Sequence, residues 1–281
     1  MDLDFPNRLR QWQTKVEATT REERTSSGEW FFLAVALPFC DQVRWSYVYS
    51  SLPLHFATKE WPLWGLAVVL GCAYAPRFAV SKLISRKGEW VCVPLTFVAT
   101  LAALAAALRP DDLLCVGLAV VASSASIATQ AHRGLLLRTG AKDDDDAKSR
   151  SLKVFSVADV VGYASGGVLG GLLFDWRGFQ ACAVFSFAVL SFELLVEVSL
   201  ACVGVLSFRR DDANHQASKK SVGSAVAEKK QQASLEYSVA FGAAGINVFA
   251  YVVEWSLFAL YFREVHGSSA LVAGAAPALG G

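Results

Sequence analysis

Long apolar runs separated by short charged gaps constrain the fold of this chain more than any other feature. Seven runs are visible, near residues 30–54, 62–80, 91–108, 113–131, 154–174, 179–207 and 235–262. A helix needs roughly 20 residues to cross about 30 Å of hydrocarbon, and each run approaches or exceeds that length. An eighth run begins after Ser269 and stops at Gly281, too short to span. The pattern predicts an all-α, polytopic membrane bundle.

Basic residues fall almost entirely on every second gap. Of the 26 lysines and arginines, 21 lie in the N-terminal segment and in the second, fourth and sixth gaps. Lys59, Arg109, Arg177 and Arg263 lie on the opposite side, and Arg44 lies inside the first run. Cytoplasmic loops carry an excess of lysine and arginine. We therefore expect a cytoplasmic N-terminus and a cytoplasmic sixth gap.

Composition indicates the same class of protein. Hydrophobic residues make up 54% of the 281 residues, and the mean hydropathy is +0.38, which exceeds that of an ordinary soluble domain. Residues 1–28 lack the apolar region of a cleavable signal peptide. The six cysteines all fall within apolar runs and form no CxxC pair, which favours small packing residues over metal or disulfide chemistry.

The gaps divide the chain into four parts. Residues 1–28 are predicted to be a cytoplasmic segment, 29–207 six spans, 208–234 a cytoplasmic linker, and 235–281 a seventh span and an incomplete eighth. Short outward gaps predict antiparallel neighbouring helices. The segments LISRKG at 83–88 and LFDWRG at 173–178 are similar and three spans apart. An odd number of spans inverts the second copy, so this similarity predicts an inverted repeat.

The fifth run is rich in glycine. Gly162, Gly166 and Gly170 recur every four residues, followed by Gly171, so one helix face lets a neighbouring backbone approach closely. The sequence then continues as LLFDWRGF over 172–179, and the seventh run ends with LYFREVHGSS over 260–269.

These segments, with six spans ahead of a basic linker, resemble the major facilitator superfamily of transporters. Its glycine-rich fifth helix commonly runs into a short outer turn with Gly, Trp and Arg, and many members close helix seven with a similar tyrosine, charged pair and glycine. The resemblance implies a six-helix half built as a 3+3 inverted repeat. It also implies transport of a small solute by alternating access, with two halves rocking about a midplane site.

The gap between the second and third spans departs from the pattern of that family. Arg86 and Gly88 match its basic residue and second glycine, whereas Ser81 and Ser85 replace its first glycine and its aspartate. The resemblance implies a gating role for Arg86 and Gly88, but not gating by charge pairs. Residues 113–131 also lack the intramembrane arginine of the family, which argues against proton-driven transport.

Ionisable groups at bilayer depth cost roughly 2.5 to 3.5 kcal/mol each on insertion scales, so they normally mark a pathway or a pair. Asp41 and Arg44 lie three residues apart on one face of the first span. Two interpretations stay open. The pair binds a solute in the central cavity, where the resemblance implies that helix one lies, or it is a self-satisfied ion pair.

Other polar residues are candidates for solute contacts or helix packing. Asn247, Tyr251 and Glu254 line one side of the seventh span, which the resemblance places beside the cavity. Gln130 is predicted to hydrogen-bond a solute or a neighbouring helix. Glu193 and Glu197 share a face of the sixth span, and because that helix is peripheral in the family, a structural or lipid-boundary role is favoured.

Several residues have simpler expected roles. Asp159 lies near the start of the fifth run and is predicted to be a cap or gate residue, because helix N-termini favour negative charge. The four histidines lie near boundaries or in gaps and indicate neither a metal site nor a proton relay. Residues 143–146 are consecutive aspartates without the spaced ligands of a calcium loop, so a solvated loop is expected.

The sequence thus predicts a transporter, with three rival classes. A seven-span receptor has an extracellular N-terminus, which the charge distribution opposes. A membrane enzyme needs a catalytic constellation, and none is visible, so no enzymatic activity, cofactor or metal is expected. A non-transporting scaffold or accessory protein is the remaining alternative. We expect a small solute and the lipid bilayer as partners, and neither nucleic acid nor an obligate protein partner. The chain as written reads as a fragment that by itself transports nothing.

Overall fold

A computed structural model of the protein describes residues 30–127, 132–133, 135–136, 145–206, 258 and 260–280. At 49, 74–75, 77–78, 81–82, 85–86, 145, 147 and 276–280 it describes the backbone alone. The described residues are helical and include no strand, so the predicted all-α class is confirmed. The segment 1–28, the linker 208–234 and most of the seventh run lie outside the described residues.

Within those ranges, seven longer helices carry the fold. They are α1 (Leu37–Thr58), α2 (Leu63–Lys87), α3 (Cys92–Leu108), α4 (Leu113–Ser126), α5 (Asp145–Arg177), α6 (Phe179–Cys202) and α7 (Ala270–Gly280). A π-helical turn, Phe32–Ala36, leads into α1, and a 3-10 turn, Glu89–Val91, leads into α3. Helices α1 to α6 coincide with the first six predicted spans, and α7 lies in the eighth run.

Several helix boundaries differ from those expected; helix α2, for example, ends at Lys87 rather than 80. Helix α4 ends at Ser126 rather than near 131, and α6 ends at Cys202 rather than 207. Helix α5 begins at Asp145, nine residues before the apolar run. Hydropathy identifies the apolar part of a helix but not its polar extension, which explains the early start of α5. The expected solvated loop over 143–146 is therefore wrong at 145–146, which open α5.

Among the described residues, three stretches are long and apolar enough to cross a membrane. They are Glu89–Leu108, Lys148–Arg177 and Phe179–Cys202. Shorter apolar stretches lie at Leu63–Ala73 and Leu113–Ser126. Many outward-facing side chains of α3 and α6 are apolar, among them Phe97, Leu101, Val184 and Leu195. Surfaces of this kind suit lipid rather than water, so the structure supports a membrane protein.

The helices pack in a bundle with a polar layer between two apolar regions. Helix α5 packs on α1 and α7, α3 packs on α6 and α4, and α2 packs on α4. One apolar cluster includes Trp45 and Phe56 of α1, and another includes Leu33 and Leu37. The segment 38–44 of α1 lies between these clusters. Its charged residues therefore reach the interior of the bundle rather than its surface.

Two glycines end helices at matching positions of the LISRKG and LFDWRG segments. Gly88 has φ 100° and ψ 172°, and Gly178 has φ 68° and ψ −161°. Each donates its N–H to the carbonyl four residues earlier, Gly88 to Ile84 at 2.9 Å and Gly178 to Phe174 at 2.8 Å. Backbone angles in this region are essentially restricted to glycine. The two segments therefore share a local function, which is to stop a helix and start the next.

Candidate functional site

The Arg44 guanidinium is the centre of a polar cluster buried between α1, α4 and α6. Its Nε donates to Glu193 Oε1 at 3.0 Å, and Nη2 lies 2.9 Å from Glu193 Oε2, so this contact is bidentate. Nη2 also donates to Asp41 Oδ1 at 2.7 Å. Nη1 donates to Ser126 Oγ at 2.7 Å and to the Ser123 carbonyl oxygen at 3.2 Å. All three nitrogens of Arg44 are engaged, and the side chain is 1% exposed.

The local sequence explains why α4 ends at this cluster. Helices leave their last carbonyl groups without intrahelical partners, and the Ser123 carbonyl is in the last turn of α4. Arg44 supplies a donor to that oxygen, and a cation near a helix C-terminus is favourable. Ser126 accepts from Arg44 and donates to the Ser123 carbonyl at 2.9 Å. The arginine therefore joins α1 to the end of α4 as well as to α6.

Glu193 and Glu197 are both buried, at 2% exposure. Of the expected structural or lipid-boundary role, the lipid-boundary alternative is therefore wrong, and the buried contacts agree with the structural one. Glu193 binds Arg44, and Glu197 faces the imidazole of His132, with Oε1 3.6 Å from Nε2. Glu197 Oε2 has no hydrogen-bond partner. The face of α6 that carries these residues points into the bundle because α1 and α3 pack on it.

The His132 ring lies between two carboxylates in the buried cluster. Its Nδ1 is 3.3 Å from Asp41 Oδ2, on the side opposite Glu197. Neither ring nitrogen meets the geometry of a hydrogen bond, although both are close to an oxygen. The ring is 2% exposed. The expectation that every histidine lies near a boundary without a cluster is thus wrong for His132.

Helix α3 brings a thiol to the same place. Cys92 is fully buried, and its Sγ, a ring nitrogen of His132 and a carboxylate oxygen of Glu197 lie within 4.8 Å of one another. One turn further along α3, Thr96 is also fully buried, and its hydroxyl has no hydrogen-bond partner. Cys92 is thus buried, as expected of a small packing residue, and it lies beside two ionisable side chains.

Asp159 contacts α1 from the side of α5. Its Oδ1 accepts a hydrogen bond from Gln42 Nε2 at 2.8 Å. Since α5 begins at Asp145, Asp159 lies in the interior of the helix, and the predicted cap is wrong. The contact itself joins α5 to α1 one residue from Asp41.

The glycines of α5 form two rows that face different helices. A Cβ at Gly162 or Gly166 would lie 2.5 Å from the Phe39 or Val43 carbonyl oxygen of α1, and one at Gly170 would lie 2.8 Å from Tyr47 Cβ. The close helix packing predicted for this row is found. A second row, Gly167 and Gly171, faces α7, where a Cβ would overlap the backbone at Gly274 and Ala270.

Asp175 joins the end of α5 to the beginning of α7. Its Oδ1 accepts the Ala270 N–H at 3.0 Å, and its Oδ2 accepts the Leu271 N–H at 2.9 Å. The first N–H groups of a helix lack intrahelical partners, so this carboxylate caps α7 from a distant part of the chain. Together with the second glycine row, it holds α7 against α5 in this structure.

The predicted site residues therefore have different outcomes. Asp41 and Arg44 meet as the expected ion pair, and Gly88 stops α2. The side chain of Arg86 and the residues Gln130, Asn247, Tyr251 and Glu254 lie outside the described part of the structure. Sequence reasoning missed Ser123, Ser126, Cys92 and His132. The serine-rich end of the fourth run was the signal, because three serines in four residues are unusual in an apolar span.

No protein-family model matches the chain, and no curated protein is significantly similar to it. The likeness to the major facilitator superfamily therefore depends on the motifs and topology of this sequence.

Proposed function

We propose that this protein takes part in transmembrane transport of a small solute by alternating access, in the manner of the major facilitator superfamily. The observation that carries the proposal is the double glycine contact of α5. One row packs against α1, and the other packs against α7, which in this proposal begins the second set of helices. Two helix sets that meet through side-chain-free backbone surfaces can separate and close again at low steric cost.

The Arg44 cluster supports this proposal because it holds α1, α4 and α6 together, as a half that moves as one unit requires. Alternating access requires that each half moves as a unit. Arg44 joins α1, α4 and α6 through charge-assisted hydrogen bonds in a buried setting, and such bonds are stronger than neutral ones. Because each guanidinium nitrogen is already engaged, the geometry favours the self-satisfied ion pair over solute binding by Arg44.

The test is solute uptake with a matched pair of glycine variants. Full-length protein in proteoliposomes is screened with labelled sugars, amino acids, organic acids and organic cations. For any solute taken up, we expect Gly171→Ala to reduce uptake at least about tenfold, because its methyl group meets the α7 backbone. Gly117→Ala is the control, since its methyl group meets only Val69 Cγ2 at 3.5 Å, an ordinary contact.

Two results would contradict the proposal. Folded, reconstituted protein that moves none of these solute classes favours the non-transporting scaffold or accessory protein. Equal uptake by Gly171→Ala and the unsubstituted protein removes the α5–α7 contact from the transport cycle.

A further inference from the structure

The Cys92, His132 and Glu197 side chains bring together three different donor types in one buried place. A thiol sulfur, an imidazole nitrogen and a carboxylate oxygen lie within 4.8 Å of one another. Zinc sites use these ligands, with metal–ligand distances of about 2.0 to 2.3 Å. Tetrahedral geometry at those distances separates the donors by about 3.5 Å, so the side chains draw together by on the order of 1 Å when an ion binds.

Independent observations indicate that these groups lack their usual partners. His132 Nδ1 and Nε2, Glu197 Oε2 and the Thr96 hydroxyl are buried without a hydrogen-bond partner. Most buried polar atoms in proteins have one, and an unpaired buried polar group is costly. A bound cation supplies partners to the ring nitrogen and the carboxylate at once.

The surroundings of His132 match the outer shell of a metal-bound histidine. When a histidine binds a metal through one nitrogen, its other N–H is usually donated to a carboxylate or carbonyl. Here Nε2 faces Glu197, and Nδ1 faces Asp41 Oδ2 at 3.3 Å. Asp41 is itself held by Arg44 at 2.7 Å. A carboxylate that Arg44 holds in place therefore lies beside the ring nitrogen that faces away from Glu197.

Charge balance also favours a cation at this point. In the part of the chain that the structure describes, the carboxylates of Asp41 and Glu193 bind the Arg44 guanidinium, and Glu197 lies on the far side of His132. With a neutral imidazole, the cluster carries an excess of negative charge in the interior of the bundle. Buried charges are normally paired or bound to metal, and a divalent cation bound beside a neutral His132 would offset this excess.

We propose that Cys92 Sγ, His132 Nε2 and the Glu197 carboxylate form a binding site for a divalent transition-metal ion of the zinc class. Thiolate and imidazole ligands favour such ions over magnesium or calcium. Cys92 begins α3, and Glu197 is in the last turns of α6, so the site lies at the end of the bundle that the charge pattern predicts to be cytoplasmic. The ion joins α3 and α6 to the segment that carries His132, and it does so whether or not the protein transports a solute.

The test uses Co²⁺ as a spectroscopic probe and Zn²⁺ as a competitor, with the full chain in detergent after chelator treatment. Exposed thiols are removed by Cys72→Ser and Cys202→Ser. We expect one Co²⁺ per chain, with sulfur-to-cobalt charge-transfer absorption that Zn²⁺ abolishes. Cys92→Ala is expected to lose that band and to weaken binding by more than the roughly 10- to 100-fold cost of losing an outer-shell partner. Cys182→Ala, which removes another fully buried thiol, is the control and should bind as before.

The proposal is overturned if the unsubstituted chain binds no Co²⁺, or if Cys92→Ala keeps the charge-transfer band. X-ray absorption of the Zn²⁺-loaded, unsubstituted chain identifies the atoms that bind the ion. It therefore tests the site even if Cys92→Ala does not fold. One sulfur and two or more nitrogen or oxygen ligands support the site, and a sphere without sulfur excludes it. Glu197→Gln provides a second variant and should weaken binding while keeping the sulfur band at saturating Co²⁺.

Discussion

The donors of Arg44 point in three directions, and each direction leads to a different helix or loop end. Replacing one partner of such a buried pair leaves the others uncompensated, which typically costs about 3 to 5 kcal/mol. Replacing both partners of a buried pair by apolar residues is often close to neutral. The contribution of the cluster to the free energy of unfolding therefore cannot be divided among its separate contacts.

A double-mutant cycle tests this coupling. We expect Arg44→Leu to lower the free energy of unfolding by about 3 to 5 kcal/mol, and Arg44→Leu with Glu193→Leu to lower it by less than the sum of the single changes. Lys59→Met is the control, because its 2.6 Å bridge to Asp111 is at the surface and contributes about 0 to 1 kcal/mol. Reversible unfolding in detergent gives the free-energy changes for Arg44→Leu, Glu193→Leu, the double variant and Lys59→Met. Strict additivity would argue against a coupled cluster.

Asp112 provides a pH-dependent cap at the start of α4. Hydrogen bonds from the Leu114 N–H, at 2.9 Å, and from Cys115 lower the pKa of this exposed carboxyl below its ordinary 3.8. A lowered folded-state pKa adds stability that is present above the ordinary value and is lost as pH falls through the folded value. Asp112→Asn keeps a capping oxygen. We expect its melting temperature to fall by less than that of the unsubstituted protein when the pH is lowered from 7 to 3. An equal loss in both proteins would contradict the assignment.

For single residues, the sequence predicts contacts within one helix and misses contacts between helices. The pairing of Asp41 with Arg44 follows from their spacing of three residues. Glu193 is 149 residues from Arg44, and no local pattern joins the two. His132 was missed because it follows the apolar run, where a polar residue is ordinarily solvated. Burial of its ring depends on how α1, α3 and α6 pack.

The effect of replacing a glycine by alanine depends separately on the backbone conformation and on the space around the new methyl group. A Cβ would meet nothing within 4 Å at Gly71 or at Gly178. Gly71 is in the interior of α2, whereas Gly178 has φ 68° and ψ −161°. The same substitution therefore has opposite effects at the two positions.

We expect Gly178→Ala to destabilise the protein by about 1 to 3 kcal/mol, because it forces a strained backbone conformation. Gly71→Ala should stabilise by about 0.5 to 1 kcal/mol, since alanine is the better helix former. Thermal unfolding of both variants in one detergent gives the comparison. A neutral Gly178→Ala would show that this turn relaxes into another conformation.

Hydropathy predicted where the helices lie more accurately than it predicted where each helix begins and ends. Six apolar runs coincide with α1 to α6, because burial in lipid or core needs apolar residues. The start of α5 was misplaced since Asp145–Lys153 is polar and helical at once, and the apolar pattern carries no signal for such a segment. The last turn of α4 contacts Arg44, and the apolar pattern carries no signal for that contact.

Whole-molecule organisation depends on how α7 is held against the six-helix unit. Asp175 caps α7 through the Ala270 and Leu271 N–H groups. We expect Asp175→Ala to increase the hydrogen exchange of these two amides at least about tenfold, which corresponds to 1.4 kcal/mol of lost protection. Asp175→Asn retains an acceptor and serves as the control. Unchanged exchange in Asp175→Ala would show that the glycine contacts alone hold α7.

Helix α5 is longer than any hydrocarbon layer requires. Its 33 residues extend over about 50 Å at 1.5 Å per residue, whereas the hydrocarbon core is about 30 Å thick. Both glycine rows lie in its second half, so Gly166 is about 30 Å from its N-terminal end. A tilt of roughly 10° about the glycine contacts moves that end by about 5 Å. The helix therefore carries its glycine contacts near one end, so in the proposed transport cycle a small rotation of α1 to α6 as one unit about those contacts displaces the opposite end of α5 most.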